Sequence, residues 1–132
     1  MVAGKTGSGK SSLLHTLITS ACIDYGPDQL RLVLLDFKKG VEFQVYAEAN
    51  LPHADIIAME SEREFGVSAL EYLDRLMQQR GEQFRSVGCQ DVAGWRKARP
   101  DIPMPRVLLV IDEFQELFVE DDKLGQTASM YL

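Results

Sequence analysis

The chain has 132 residues, 45% of them hydrophobic and 26% charged, which allows one globular core and leaves no length for a second domain. Twenty acidic residues against fourteen basic ones give a net charge of −6, the opposite of the basic footprint with which a domain grips nucleic acid through its own surface. No apolar run approaches the ~18–20 residues of a membrane span, and the first residues lack the basic-then-apolar layout of a signal peptide, so the expectation is a cytoplasmic segment with no membrane contact.

Met1-Val2-Ala3 reads as the last step of a strand, and Gly4 to Gly9 as a loop. From Ser11 onward, Leu13, Leu14, Leu17, Ile18 and Ala21 recur at the three-and-four spacing of a one-sided helix, which Gly26-Pro27 ends. Leu30 to Leu35 is a nearly continuous apolar run closed by Asp36, the pattern of a parallel strand covered on both faces. Residues 37–50 have no clean period and are assigned to a loop with a short helix. After Leu51-Pro52-His53, Ile56 to Met59 predicts an edge strand, and Ser61 with Glu64 forms a capping box that opens the longest helix. The predicted buried stripe of that helix is Phe65, Ala69, Leu73, Leu76, Met77, Phe84 and Val87, with Glu71, Asp74, Arg75, Gln78 and Gln79 outside and Gly88 as its stop. Asp91 caps a short helix through Trp95 to Ala98, and three prolines follow as a stiff connector. Val107 to Ile111 is the clearest buried strand, ending in Asp112-Glu113, with a helix after it that carries Phe114, Leu117 and Phe118 on one side.

Strands alternating with helices predict an α/β fold with a mostly parallel sheet flanked by helices. Ligands in such sheets sit beyond the carboxyl ends of the strands, here just after Ala3, Leu35 and Ile111.

At the first of these places Gly4-Lys5-Thr6-Gly7-Ser8-Gly9-Lys10-Ser11 matches G-x-x-x-x-G-K-[ST] in full, between strand-like residues and a helix, as the motif requires. Glycines let the backbone turn with φ > 0 and aim successive N–H groups at phosphate oxygens, at the positive end of a helix. Gly4, Lys5, Thr6, Gly7, Ser8, Gly9, Lys10, Ser11 and Ser12 are therefore the candidate nucleotide-binding set, with ATP and Mg²⁺ as the expected cofactors. Lys10 would neutralise the β and γ phosphates, and the Ser11 hydroxyl would ligate Mg²⁺. At the third place, Asp112 is positioned to hold the magnesium shell and Glu113 to polarise an attacking water, making Glu113 and Lys10 the candidate catalytic pair. The plainer reading of Asp112-Glu113 is an acidic cap on the next helix.

Asp36 and Lys38 close the middle strand and read as solvated loop charges, or as groups facing phosphate or a neighbouring subunit. His15, His53 and Trp95 read as structural. Cys22 and Cys89 have no metal-ligand spacing and read as reduced, partly buried thiols.

Five segments in this order resemble the FtsK/SpoIIIE family of motor ATPases. Val2 to Ser11 looks like their nucleotide loop, Leu34-Leu35-Asp36-Phe37-Lys38 like their second-strand acidic motif, and Leu51-Pro52-His53 like their Pro-His turn. The long helix with Arg80, running into Gly88 to Trp95, is similar to their helix with its Gly-x-x-Asn-x-x-x-Tyr ending, Asp91 and Trp95 replacing the amide and the tyrosine. Val110-Ile111-Asp112-Glu113-Phe114 resembles their strand with the catalytic acids. The resemblance implies a RecA-like ATPase that works as a homo-oligomeric, usually hexameric, ring and pulls double-stranded DNA. Asp36-Phe37-Lys38-Lys39-Gly40 is also similar to the matching stretch of the related type VII secretion ATPases, which move protein substrates. The family's later sensor strand, trans-acting arginines, winged helix and membrane anchor are not recognisable in the sequence. It is therefore expected to be one partial motor domain spanning 1–132, incomplete at both ends, tethered to a membrane only through other parts of the full protein, and inactive alone. A P-loop kinase and a structural fragment with an empty loop are the competing readings.

Overall fold

The computed structural model describes residues 9–37, 42–58, 63–118 and 123–131. The predicted first strand at Met1 to Ala3, the loop residues Gly4, Lys5, Thr6, Gly7 and Ser8, Lys38, and Ser61 of the capping box lie outside the described residues. In chain order the elements are α1 (Lys10–Asp24), β1 (Leu30–Asp36), α2 (Gln44–Glu48), β2 (Ala54–Ala58), α3 (Arg63–Ser86), α4 (Val92–Ala98), β3 (Arg106–Asp112), a 3₁₀ turn (Phe114–Phe118) and α5 (Lys123–Tyr131). The three strands form a parallel sheet in the order β2-β1-β3. Helical connections between parallel neighbours are what an α/β sequence of this alternation demands.

β1 is central because it is apolar on both faces. Leu32 and Leu34 point into a cluster with Ile18 of α1 and Phe43, while Val33, Leu35 and Phe37 point into a second cluster with Val67 and Leu70 of α3 and Ala128 of α5. Strand alternation divides its side chains between the two layers, and Leu32 to Leu35 have no exposed surface. The most buried strand is thus β1, whereas the sequence pointed to Val107–Ile111. Val107 to Ile111 of β3 are only half-buried, since among the described residues β3 pairs with β1 alone.

Two helical stripes also differ from expectation. On α1 only Ile18 is buried, and Leu13 and Leu17 are exposed, because the helix meets the sheet along the single line of Ile18 with Ala21 and Cys22 beside it. On α3 the buried face is Gly66, Val67, Ala69 and Leu70, while Phe65 and Met77 are exposed, Met77 at 73%. Periodicity ranks the large apolar residues highest, but α3 meets the sheet through Val67, Ala69 and Leu70, with Leu73 beside them, leaving Phe65 and Met77 off the contact line. The expected helix after Asp112-Glu113 is a 3₁₀ turn with Phe114 exposed; α5 follows it and buries Ala128.

Other local expectations hold. Gly88 takes φ 70 at the end of α3, and Asp91 accepts a 2.7 Å hydrogen bond from the Gly94 N–H to cap α4. Trp95 is buried beside Phe84, its indole N–H donating to the Ile102 carbonyl at 2.9 Å. His53 is buried and donates from Nε2 to the Tyr25 carbonyl at 2.7 Å, a structural role. Cys22 and Cys89 are free thiols, half-buried, and burial pushes the Cys22 thiol pKa up.

Candidate nucleotide site

Parallel register sets the floor of the site. Asp36 and Asp112 are paired positions at the carboxyl ends of β1 and β3, and the Phe37 N–H donates to the Asp112 carbonyl at 3.2 Å. Both side chains are buried, so Asp36 is not the solvated charge its place at a strand end suggested.

Directly after β3 the chain turns through Glu113 with φ 59, a left-handed conformation that costs a non-glycine residue roughly 1–2 kcal/mol. Such strain persists only where the surroundings hold it. Here the Gln115 amide donates to Glu113 Oε2, and Glu113 Oε1 lies 3.3 Å from the Lys10 Nζ. The same ammonium is 2.9 Å from Asp112 Oδ1. Lys10 therefore joins the first residue of α1 to the end of β3, across 102 and 103 positions of chain. The hydrogen bond from Lys10 to Asp112 raises the lysine pKa most, with Glu113 adding to it and burial opposing it, so the group remains a cation at neutral pH.

α1 begins at Gly9 with φ 88 and ψ 0, and no side chain caps it; the Leu13 N–H closes the first turn onto the Gly9 carbonyl at 3.0 Å. Among the described residues a Cβ at Gly9 would meet nothing within 4 Å, so glycine is needed there for its backbone angle. The amino end of a 15-residue helix without a side-chain cap presents N–H groups and a partial positive charge to an anion. Ser12 is exposed one step along the helix.

The Ser11 hydroxyl faces a partner that sequence reasoning missed. It donates to Glu42 Oε1 at 2.8 Å, while Glu42 Oε2 lies 3.2 Å from His15 Nε2 and His15 Nδ1 lies 2.6 Å from the Tyr46 hydroxyl. Glu42 sits in the stretch without a period, and the only traces of this cluster in the sequence are the four-residue spacings Ser11–His15 and Glu42–Tyr46. Gln115 was missed as well, for the same lack of pattern.

One cation, one hydroxyl, two strand-end carboxylates and a helix start make a set of hard donors that suits a nucleotide with Mg²⁺, an ion that keeps waters and phosphate oxygens in its shell. Among the described residues no group of three or more His, Cys, Asp or Glu forms an all-protein metal cage, which is the coordination Mg²⁺ does not require. An apolar cavity of about 330 Å³ lies elsewhere, between α3, β3 and α5, lined by Leu73, Met77, Arg80, Leu109 and Tyr131 among others.

The fold defines the class as a RecA-like P-loop core of parallel strands flanked by helices. Within that class the chain belongs to the FtsK/SpoIIIE family of ATPases, whose sequence pattern it matches over residues 1–130. It is 31% identical to the DNA translocase FtsK of Streptococcus pyogenes serotype M3 (strain SSI-1), the match covering 97% of this chain and 18% of that protein. It is 34% identical to the ESX secretion system protein EccC of Thermomonospora curvata, covering 98% of this chain and 11% of that one. The solved cytoplasmic domain of the Thermomonospora curvata type VII secretion ATPase EccC superposes with a TM-score of 0.77 at 34% identity, over 96% of this chain and 15% of that structure. The chain thus spans less than a fifth of the length of these relatives.

Proposed function

We propose that this chain, as one ATPase domain segment over residues 1–132, binds ATP with Mg²⁺ and belongs to a motor that couples hydrolysis to the movement of double-stranded DNA. The observation that supports it most is Lys10 held between Asp112 and Glu113 directly after the glycine loop. Gly4 to Ser12 bind phosphate; the Lys10 ammonium exchanges its carboxylate partners for phosphate oxygens; Ser11 and Asp112 hold Mg²⁺; Glu113 accepts a hydrogen bond from the attacking water and orients it. ATP supplies the phosphoanhydride bond whose hydrolysis drives movement. A homo-oligomeric ring, hexameric by the resemblance, would supply the remaining charge stabilisation from a neighbouring subunit.

Movement of a protein substrate is the second reading, favoured by the superposition on the EccC domain. Stimulation of the full-length protein's ATPase by duplex DNA separates the two, because a secretion motor would not respond to it. For the nucleotide site itself, calorimetric titration with a non-hydrolysable ATP analogue and Mg²⁺ is expected to show binding that Lys10→Ala weakens at least about tenfold, the loss of charge-assisted bonds to phosphate. Unchanged affinity would remove the phosphate loop from the proposal. Transfer of phosphate to an acceptor other than water would favour a kinase.

A further inference from the structure

We propose that Glu42 is a positioning residue for Ser11, taking the hydroxyl proton so that the oxygen lone pairs are left for a divalent cation bound with the nucleotide. This rests on the nucleotide-binding reading and extends it to a residue outside both the phosphate motif and the strand-end acids.

Ser11 and His15 are one turn apart on α1, so their side chains leave the same face of the helix. The Glu42 carboxylate spans them, Oε1 to the Ser11 hydroxyl at 2.8 Å and Oε2 to His15 Nε2 at 3.2 Å. A carboxylate only accepts, so His15 Nε2 carries the proton, and in a neutral imidazole Nδ1 then accepts from the Tyr46 hydroxyl at 2.6 Å. Burial raises the Tyr46 pKa, which keeps that hydroxyl a donor. Every bond in the cluster thus runs toward Glu42.

The position of Glu42 is fixed by its neighbour. Phe43 is 1% exposed and packs in the cluster of Ile18, Leu32 and Leu34, anchoring the carboxylate to the core. A serine hydroxyl has one proton and two lone pairs. With the proton committed to Glu42, its rotation is stopped and the oxygen faces a cation as a pure acceptor. Without Glu42 the hydroxyl can turn and donate elsewhere, and the metal loses an oriented ligand.

The test measures affinity for a non-hydrolysable ATP analogue twice, with Mg²⁺ and with EDTA; the ratio is the metal's contribution. Glu42→Leu, close in volume but without an acceptor for the Ser11 proton, is expected to cut that ratio about tenfold while leaving the EDTA affinity unchanged. Ser11→Ala should cut it equally, and the double variant no further, because both act on one ligand. His15→Phe, which removes one Glu42 partner and spares the bond to Ser11, gives a smaller loss confined to the Mg²⁺ arm and serves if Glu42→Leu melts early. A wild-type ratio in Glu42→Leu, or a loss equal in both arms for His15→Phe, overturns the inference alone, provided Lys10→Ala still weakens binding. Absence of nucleotide binding by the wild-type chain overturns both.

Discussion

Lys10 shows how one side chain couples stability to chemistry. Its charge offsets two carboxylates that parallel pairing and a strained turn bring to the same place, so its folded-state pKa lies above the ~10.4 of an unfolded lysine. A raised pKa means that the stabilisation is fully present below about pH 10 and is lost as pH rises through the folded value. Melting temperatures of the wild type and Lys10→Met should therefore differ by a constant gap from pH 8 to about pH 10 and converge above it. A gap unchanged at pH 12 would show that packing of the lysine stem, and not its charge, holds the site together.

At the scale of elements, the join between α3 and α4 rests on two residues. Gly88 takes φ 70 with the Cys89 N–H returning to the Phe84 carbonyl at 2.9 Å, and Asp91 caps the next helix. A Cβ at Gly88 would meet no atom of the described residues within 4 Å, so Gly88→Ala should cost roughly 1–2 kcal/mol from backbone conformation alone. Gly88→Asn, which tolerates the left-handed region better, should cost less. Asp91→Ala should cost about 1 kcal/mol by leaving the Gly94 N–H without its acceptor. Urea denaturation of the three variants checks the order; equal midpoints for Ala and Asn at position 88 would mean that the turn relaxes when substituted.

For the whole molecule, the charge of −6 limits what the chain does by itself. Binding of duplex DNA depends on counterion release by lysines and arginines aligned on phosphates, and fourteen basic residues outnumbered by twenty acidic ones give no net field to collect it. The isolated chain is expected to show no binding to a fluorescent duplex in anisotropy titrations at physiological salt. Tight binding that weakens steeply with added salt would place a DNA grip on this segment after all.

The sequence alone determined what short-range pattern encodes. Apolar runs of strand length at Leu30 and Val107, the glycine loop before Lys10 and Ser11, the acid pair after the last strand and the cap at Asp91 are all local, and the family resemblance rests on their order. Tertiary structure decided the rest. That α3 meets the sheet through Val67, Ala69 and Leu70 and not through Phe65 and Met77, and that β1 outranks β3 in burial, follow from which elements are neighbours, which periodicity does not encode. The meeting of Lys10 with Asp112 and Glu113, and of Ser11 and His15 with Glu42, depends on contacts made across 27 to 103 positions. A hydrogen bond needs its atoms within about 3 Å, and only the packed sheet with its crossing helices brings residues that far apart in the chain to that distance.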